Sequence, residues 1–491
     1  MKKVLTAIIV LSLIFTASCA GVDSGGKKQP DATPASARAP IEKALDVPWK
    51  CTTQDAQWQD RDALRLEPGV SGDADIKIDT ARLRQEVEGF GGAFNEQGWA
   101  AMSVLAEDER DDVMKALFDP EQGAKFNICR VPIGASDYAI SRYSLNETEG
   151  DTQMNDFSIE RDKEYLLPYI MAAMSHKPGL KVWGSCWTPP TWMKTNGDYD
   201  GGSMKADANI YKAYALYLAR FVEEYQAEGI NLFAVAVQNE PEIERHYPTC
   251  LWEPEQYSTF IKDHFGPLFE QRGVNAEIML GTLQDADFRR FPMLLSDPDV
   301  NKYVSIVGYQ WSGLDSVALT RENYPDKRIY QTETECGNFY WKPGYDPDRP
   351  QNDWSYGIYT WNKVKEYFDE GVNAYMLWNI VLDEEGKSID SNSPWPQNAA
   401  VTVDKNTKEV TYTPMFFAFK HFSYFVEPGA RYVDFGFKHD AIAFLNPGGS
   451  LIILLQNQVM EEKTLIIEVD GAAMTITLPG KSWSTLAVPS H

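Results

Sequence analysis

Clustered cysteines and histidines, the residues of most metal and cofactor sites, are lacking in this chain. Its six cysteines form no CxxC pair, and its six histidines are scattered without an HExxH motif. The spacing therefore indicates neither a metal site nor a Ser-His-Asp triad, and no disulfide framework can be derived from it. The glycine-rich segment 89–94 also lacks the spacing of a dinucleotide fingerprint. No cofactor is expected, and any chemistry must come from carboxylates.

Positive charge is also scarce. The chain has 46 Lys and Arg residues against 71 Asp and Glu residues, a formal net charge of −25. Such a surface repels phosphate backbones, which argues against a nucleic-acid partner and favours a neutral ligand. Aromatic residues, in contrast, make up 12% of the chain. They indicate either a large core or flat platforms for sugar rings, and composition alone does not choose between the two.

The N-terminus has the pattern of an export signal. Two lysines precede the apolar run 4–15, which is too short for a convincing membrane span. Cys19 follows Thr16-Ala17-Ser18, which resembles a bacterial lipoprotein processing site. Residues 1–19 are therefore predicted to be a signal peptide of lipoprotein type with Cys19 lipidated, and 20–45 a flexible tether. We expect an exported protein, either a cell-surface or periplasmic lipoprotein or a secreted one, with membrane contact only through the anchor.

Short β-prone runs alternate with amphipathic helical stretches in the middle of the chain. The eight runs are 87–94, 126–133, 180–187, 232–238, 278–283, 304–311, 328–332 and 374–380. Helical spacing of apolar residues occurs at 104–118, 162–175, 211–225, 256–271 and 356–368. Eight βα alternations favour a closed (β/α)8 barrel, assigned to 87–424, over an open sheet.

The pattern of the sequence changes after this region, from alternating strands and helices to short strands separated by turns. Six short strands are predicted at 431–435, 441–445, 451–456, 464–469, 474–478 and 482–488, with turn signals at 446–449 and 470–471 between them. The pattern predicts a C-terminal antiparallel β-sandwich over 425–491. The N-terminal segment 46–86 is expected to add to it in part, through the alternating stretch 75–78.

Two glutamates follow strands of the predicted barrel. The fourth run leads into Asn239-Glu240-Pro241, and the seventh leads into Glu333. Barrel active sites are built at the carboxyl ends of the strands, and retaining glycoside hydrolysis needs two carboxylates about 5–5.5 Å apart. Either glutamate alone is a weak signal, whereas both at strand ends favour catalysis. Glu335 remains the second choice for the seventh strand because alternation aims it the same way, and Pro241 is expected to turn Glu242 away.

Several longer motifs carry a family resemblance. They are Gly89-Phe90-Gly91-Gly92-Ala93, Arg130-Val131-Pro132, the segment 187–197 (WTPPTWMKTNG), Asn239-Glu240-Pro241, Gln331-Thr332-Glu333 and Trp378-Asn379. With these motifs the chain resembles glycoside hydrolase family 30, in the branch of lysosomal glucosylceramidase and the bacterial and fungal β-1,6-glucanases. The likeness extends from about Glu88 to the C-terminus.

The resemblance implies roles for the polar residues of these motifs. Glu240 matches the family's acid/base and Glu333 its nucleophile. Asn239 matches an asparagine that hydrogen-bonds the sugar 2-hydroxyl, and Arg130 an arginine that supports the carboxylates from below. Asp137 matches an aspartate that holds outer hydroxyls of the sugar in the −1 subsite.

The resemblance also implies an aromatic lining for this subsite. Trp187 and Trp378 match two of its tryptophans, for which core packing is the alternative interpretation. At the end of the sixth strand the family often has a tyrosine beside the site. Either Tyr309 or Trp311 could take that part here, and both are kept as candidates.

The substrate is less well specified than the reaction. Aromatic residues in or beside the predicted loops could form further subsites for a glucan chain; they are Tyr247, Trp252, Trp311, Tyr340, Trp341, Trp354 and Trp395. With a surface anchor they favour β-1,6-glucan, while glucosylceramide and short β-glucosides remain alternatives. A non-catalytic glycan-binding lipoprotein and a purely structural surface protein rank below a hydrolase, because both carboxylates are present in their motifs.

Overall fold

The computed structural model describes residues 38–69, 73–284, 287–334, 337–394, 396–436 and 440–491. The predicted signal peptide, Cys19 and the predicted tether up to residue 37 lie outside these ranges. From 38 to 45 the tether prediction is wrong, because Ile41 is buried in a hydrophobic core and Arg38 donates a hydrogen bond to the carbonyl of Pro489. Within the described ranges, no helix has the length and apolarity that a membrane crossing requires.

The first twelve strands of the fold are four that precede the barrel and eight that form it. Four precede it: β1 (Leu45–Thr53), β2 (Gln59–Pro68), β3 (Ile76–Ile78) and β4 (Leu83–Glu86). The next eight are β5 (Gly89–Ala93), β6 (Ile128–Ile133), β7 (Lys181–Cys186), β8 (Leu232–Ala236), β9 (Glu277–Leu283), β10 (Val304–Gln310), β11 (Arg328–Glu333) and β12 (Ala374–Asn379). These eight are parallel and form a closed barrel, in which β12 pairs with β5 and β9 with β10. The predicted (β/α)8 barrel is confirmed.

Helices connect the barrel strands and cover their outer faces. They are α1 (Glu96–Met102), α2 (Glu107–Phe118), α3 (Leu166–His176), α4 (Ala208–Ala227), α5 (Pro254–Thr259), α6 (Gly266–Arg272), α7 (Pro298–Asn301), α8 (Leu314–Asn323), α9 (Trp354–Glu370) and α10 (Pro414–Phe425). A π-helical turn, Phe260–Phe265, joins α5 to α6, so the predicted stretch 256–271 is one interrupted helix. The side chains of Asp207 and Asp353 cap the first turns of α4 and α9.

The inside of the barrel is packed and not hollow. Its lower part is filled by large inward side chains, among them Trp183, Met279, Tyr330 and Met376. Towards the carboxyl ends of the strands, polar side chains take the inward positions. On β6, for example, the next inward residue is Arg130. The site therefore stands on an apolar floor.

The C-terminal strands complete a second domain. After the small sheet β13 (Val381–Asp383), β14 (Val401–Val403) and β15 (Val410–Tyr412) come β16 (Arg431–Val433), β17 (Ala441–Leu445), β18 (Leu451–Asn457), β19 (Lys463–Val469), β20 (Ala472–Leu478) and β21 (Ser482–Val488). The strand order β3-β19-β20-β2-β1-β21-β18-β17-β16-β4 includes all four N-terminal strands. Only the β3–β19 pair is parallel among the pairs of this sheet in the described residues. The predicted β-sandwich domain is confirmed.

Candidate active site

A cavity of about 490 Å³ opens at the carboxyl ends of the barrel strands. Its lining includes both predicted catalytic glutamates and four of the predicted substrate-binding residues: Asp137, Trp187, Asn239, Glu240, Trp311 and Glu333. Glu333 ends β11, and Glu240 lies four residues after β8. The strand pattern thus brings together two carboxylates that are 93 residues apart in the chain.

Glu333 is held by one charged and one neutral donor. Arg130 Nη1 donates to its Oε2 at 2.7 Å, and Trp311 Nε1 donates to its Oε1 at 3.0 Å. A bulge in β11 aims the carboxylate inward: Tyr309 pairs with Gln331 but Gln310 pairs with Glu333, so Thr332 is the extra residue. Burial and the nearby Glu240 raise the pKa of Glu333, and Arg130 opposes that rise.

Glu240 has neutral donors only. Gln310 Nε2 donates to its Oε1 at 2.9 Å, and the Tyr247 hydroxyl donates to its Oε2 at 3.4 Å. The backbone of Glu240 has φ = 45°, a left-handed conformation rare for residues with a side chain. Its amide is tied to the carbonyl of Thr282 at 3.0 Å, which fixes this conformation. Burial raises the pKa of Glu240, and the hydrogen bond from Gln310 lowers it in part.

Arg130 connects the two sides of the site. Its side chain is fully buried, and its Nη2 donates to Asn239 Oδ1 at 2.6 Å and to Ser185 Oγ at 3.1 Å. Thr282 Oγ1 donates to the same Asn239 oxygen at 2.7 Å. The oxygen of the Asn239 amide is therefore occupied within the protein, and its NH2 group is left to donate towards the cavity.

Two tryptophans and Asp137 form one face of the site. Trp187 and Trp378 stack with their ring centroids 5.3 Å apart at 22°, and the guanidinium of Arg130 lies 4.1 Å from the Trp187 centroid. Trp187 lines the cavity, whereas Trp378, predicted beside it, is not among the lining residues and is connected to the site through this stack. Asp137 is buried and lines the same cavity as Trp187, and burial followed by the charges of Glu333 and Glu240 raises the pKa of Asp137 well above its usual value.

Tyr309 is a correction to the predicted site. Its hydroxyl is hydrogen-bonded to Thr320 Oγ1 in α8 at 2.5 Å, and its ring belongs to the core outside the barrel. Because side chains alternate along β10, the neighbouring Gln310 points into the site instead. Trp311 reaches the cavity through a backbone turn with φ = 50°. Of the two sixth-strand candidates, only Trp311 lines the cavity.

Some of the aromatic residues predicted in the loops line the cavity, and others are buried in the core. Tyr247, Tyr340 and Trp341 line the cavity, and the side chains of the last two are 45% and 49% exposed. Trp252 is buried in the core, and Trp354 stacks on Trp483 at 3.8 Å, so both predictions of a subsite residue are wrong. Trp395 and the alternative nucleophile Glu335 lie outside the described residues.

The sequence of the barrel and of the sandwich matches one family. Residues 87–426 match the model of the glycosyl hydrolase family 30 TIM-barrel domain, and 429–486 match the model of the family 30 beta sandwich domain. The chain belongs to glycosyl hydrolase family 30. It is therefore a glycoside hydrolase.

The relatives of this family 30 hydrolase include proteins named as glucosylceramidases and proteins named as endo-1,6-β-glucanases. It is 27% identical over 426 residues to the lysosomal acid glucosylceramidase of Mus musculus, covering 82% of this chain and 81% of that protein. It is 23% identical over 458 residues to endo-1,6-beta-D-glucanase neg1 of Aspergillus fumigatus, covering 86% and 89%. The structure of the endo-beta1,6-glucanase BT3312 shares the fold with a TM-score of 0.77 at 22% identity, covering 91% of this chain and 99% of that one.

The cavity of this family 30 hydrolase also contains residues that sequence reasoning missed. They are Glu244, Arg245, His246, Gln284, Ser388, Asp390, Asn392, Ser393 and Gln397. All lie in loops without a distinctive local pattern, and only the folded barrel brings them to one rim. In the described part of the chain, no group of three or more His, Cys, Asp or Glu side chains is arranged to hold a metal ion.

Proposed function

We propose that this hydrolase cleaves β-glucosidic bonds with retention of configuration and that β-1,6-glucan is its substrate. The observation that carries the mechanism is the unequal set of partners of the two buried glutamates in one cavity. Glu333 accepts from the Arg130 guanidinium, whereas Glu240 accepts from Gln310 and Tyr247, which are neutral. These hydrogen bonds favour a single negative charge on Glu333 and the proton on Glu240, against the charge of Arg245, which lowers the pKa of Glu240.

This distribution of charge suits a double displacement. The Glu333 carboxylate attacks C1 and forms a glycosyl ester, while Glu240 gives its proton to the departing glycosidic oxygen. Glu240, now ionised, then takes a proton from water as the water oxygen attacks C1. The ester bond breaks, a product with the β configuration leaves, and both carboxyls return to their first states. No step requires a cofactor.

Three observations support a glucan substrate. The exposed rings of Tyr340 and Trp341 flank the cavity beyond the catalytic carboxyls, where they offer flat faces to further sugar rings. The net charge of −25 disfavours a polyanionic substrate. Two relatives are named as endo-1,6-β-glucanases. The mouse glucosylceramidase relative supports a second candidate, a glucosylceramide, since its likeness is of similar extent.

Export belongs to the same proposal. A polymeric glucan does not cross a membrane, so its hydrolase must act outside the cytoplasm. The lysines and the apolar run 4–15 followed by Cys19 fit an exported lipoprotein. Metabolic labelling with a radioactive fatty acid tests this step. Label in the full chain but not in Cys19→Ala supports the anchor, and label in neither contradicts it.

The activity is tested on the chain without residues 1–19. It is incubated with linear β-1,6-gluco-oligosaccharides, and the anomeric configuration of the first products is followed by proton NMR. Glu333→Gln is compared with Glu223→Gln, whose carboxylate pairs with Arg272 on the outer face of the barrel. We expect β-configured products from the wild type and from Glu223→Gln, and none from Glu333→Gln.

Other outcomes would change specific parts of the proposal. Turnover of glucosylceramide but not of the glucan would replace the substrate and keep the mechanism. Products with the α configuration, or an active Glu333→Gln, would overturn the assignment of the nucleophile. Binding of oligosaccharide without any turnover would favour the glycan-binding alternative.

A further inference from the structure

One arginine outside the catalytic centre joins four of the barrel loops. Arg142 lies in the loop that follows β6, and its Nε and Nη2 donate to the two carboxylate oxygens of Asp200, both at 2.7 Å. Its Nη2 also donates to the carbonyls of His246 at 3.0 Å and Ile389 at 3.2 Å. These partners lie in the loops after β7, β8 and β13, so a single guanidinium holds the four loops together.

The same loops form one wall of the cavity. Asp137, His246 and Asp390 line it, and each is within a few residues of an Arg142 contact or of Arg142 itself. Backbone hydrogen bonds continue the connection. Ile389 donates to the carbonyl of Asp137 at 2.8 Å, and Ser391 donates to the carbonyl of His246 at 3.0 Å. The position of this wall therefore depends on contacts that meet at Arg142.

Lysine could not replace this arginine. A guanidinium is planar and forked, so it can hold both oxygens of Asp200 and still direct an N–H at two carbonyls. An ammonium group is a point donor without that geometry. The pair is partly exposed, with side-chain exposures of 29% for Arg142 and 21% for Asp200, so its charge alone contributes little to stability. Its effect lies in the geometry of the loops.

The wall is separate from the chemical machinery. Glu240 and Glu333 take their hydrogen bonds from Gln310, Tyr247, Trp311 and Arg130. Arg142 donates to none of these four side chains, because its hydrogen bonds go to Asp200 and to two loop carbonyls. A shift of the loops would therefore move the groups that hold the sugar, while Gln310, Trp311 and Arg130 keep the two carboxyls in place. The one catalytic contact in these loops is the 3.4 Å hydrogen bond from Tyr247, the residue after His246, to Glu240.

We propose that Arg142 is a positioning residue that sets the sugar-binding wall of the cavity through its fork with Asp200. The inference rests on the proposed function, because it takes the cavity as the sugar site. It predicts that loss of the fork weakens binding more than chemistry. For Arg142→Lys we expect a rise of about 5- to 20-fold in KM for β-1,6-gluco-oligosaccharides, with kcat within about 3-fold and the pH profile of kcat unchanged.

The test compares three variants in the otherwise intact chain. Arg142→Lys and Asp200→Asn each break the fork from one side, and the second leaves the arginine in place. Arg272→Lys is the control, because Arg272 makes the same two-pronged contact with Glu223, at 2.8 Å for both bonds, on α6 and α4 away from the cavity. Hydrogen–deuterium exchange of residues 386–393 gives a readout that does not depend on activity.

We expect higher KM and faster exchange in 386–393 for both fork variants, and neither change for Arg272→Lys. An unchanged KM in both fork variants, or an equal loss in kcat, would overturn the role of Arg142. Changes of the same size in KM and in exchange for Arg272→Lys would show that the effect comes from a general loss of stability and not from the position of the loops. If the wild type hydrolyses no β-glucoside, the proposed function fails instead. The exchange data then still report whether the fork holds the loops.

Discussion

The strongest test of the catalytic centre is removal of the buried cation under it. In Arg130→Met, a side chain of similar length fills the space without charge or hydrogen bonds. Glu333 loses its 2.7 Å partner and remains buried, while Asn239 keeps the hydrogen bond from Thr282 at 2.7 Å. Removing one partner of a buried ion pair costs about 3–5 kcal/mol, because the other charge is left uncompensated. We expect this loss in the free energy of unfolding at pH 8.

The loss should depend on pH in a defined direction. Burial already raises the pKa of Glu333 and Arg130 opposes that rise, so the variant carboxyl binds its proton still more tightly in the folded state. A carboxyl with a raised folded pKa destabilises the fold as the pH rises above its unfolded value, near 4.3. Towards pH 5, Glu333 is protonated in the folded variant and the uncompensated charge is gone. The deficit should therefore shrink as the pH falls from 8 to 5.

The assay is urea unfolding followed by tryptophan fluorescence at pH 5 and pH 8. Wild type and Arg130→Met are each measured with and without Glu333→Gln, which removes the titrating group. In the Glu333→Gln background the cost of Arg130→Met should change less with pH, and the change that remains comes from Glu240 and Asp137, whose pKa values the charge of Arg130 also lowers. A deficit that is equal at both pH values with Glu333 present, or larger at pH 5, would refute the assignment of Arg130 as the cation that keeps Glu333 ionised.

Three further predictions test other parts of the structure. Because Gln310 stabilises the charged form of Glu240, Gln310→Leu should raise the pKa of Glu240 and move the alkaline limb of the kcat/KM profile to higher pH. A shift of that limb to lower pH would contradict this. Trp341→Ala should reduce kcat/KM for long β-1,6-oligosaccharides by about 5- to 10-fold, the effect of one aromatic contact, and leave an aryl β-glucoside nearly unaffected; equal losses would place the ring elsewhere. Gly91→Ala on β5 would put the new Cβ 1.9 Å from the carbonyl oxygen of Ile128 on β6, so the melting temperature should fall by several degrees. Gly179→Ala has no atom within 4 Å of its Cβ and should melt at the temperature of the wild type.

The barrel could be predicted from the sequence because its signals are local. Each strand is a short buried run followed by a helical stretch, and every predicted run overlaps an observed barrel strand. The two glutamates could be placed at the mouth of the barrel by the same logic, since the carboxyl ends of its parallel strands meet there. Their exact directions depend on the bulge in β11 and on the left-handed backbone of Glu240. Trp187 and Asn239 depended on the family resemblance, and the structure places both in the cavity lining.

The sixth strand shows where local reasoning stops. The choice between Tyr309 and Trp311 depends on the left-handed turn at Trp311 and on the bulge in β11. Neither feature has a sequence signal, because no glycine marks the turn and Thr332 looks like an ordinary strand residue. Gln310, which supports Glu240, was missed for the same reason.

Contacts between distant segments account for the other errors. Residues 38–45 have the composition of a linker, yet Ile41 is buried in the sandwich core. The sequence predicts Trp354 in a loop near the site, but it is the first residue of α9 and stacks on Trp483 of β21. In each case a partner far away in sequence decides the environment, and composition contains no information about that partner.

The charges inside the cavity complete the argument for a neutral substrate. At the catalytic centre three carboxyls, those of Asp137, Glu240 and Glu333, surround the guanidinium of Arg130. The lining of the cavity adds the charged residues Glu244, Arg245 and Asp390. Burial raises the pKa of all three, and for Asp137 the two glutamates raise it further. Arg130 stabilises the charge of Glu333, whereas the raised pKa values of Asp137 and Glu240 favour the uncharged forms of these two carboxyls. A neutral sugar then enters without adding an uncompensated charge, and protonated Asp137 can donate a hydrogen bond to a hydroxyl oxygen as well as accept one.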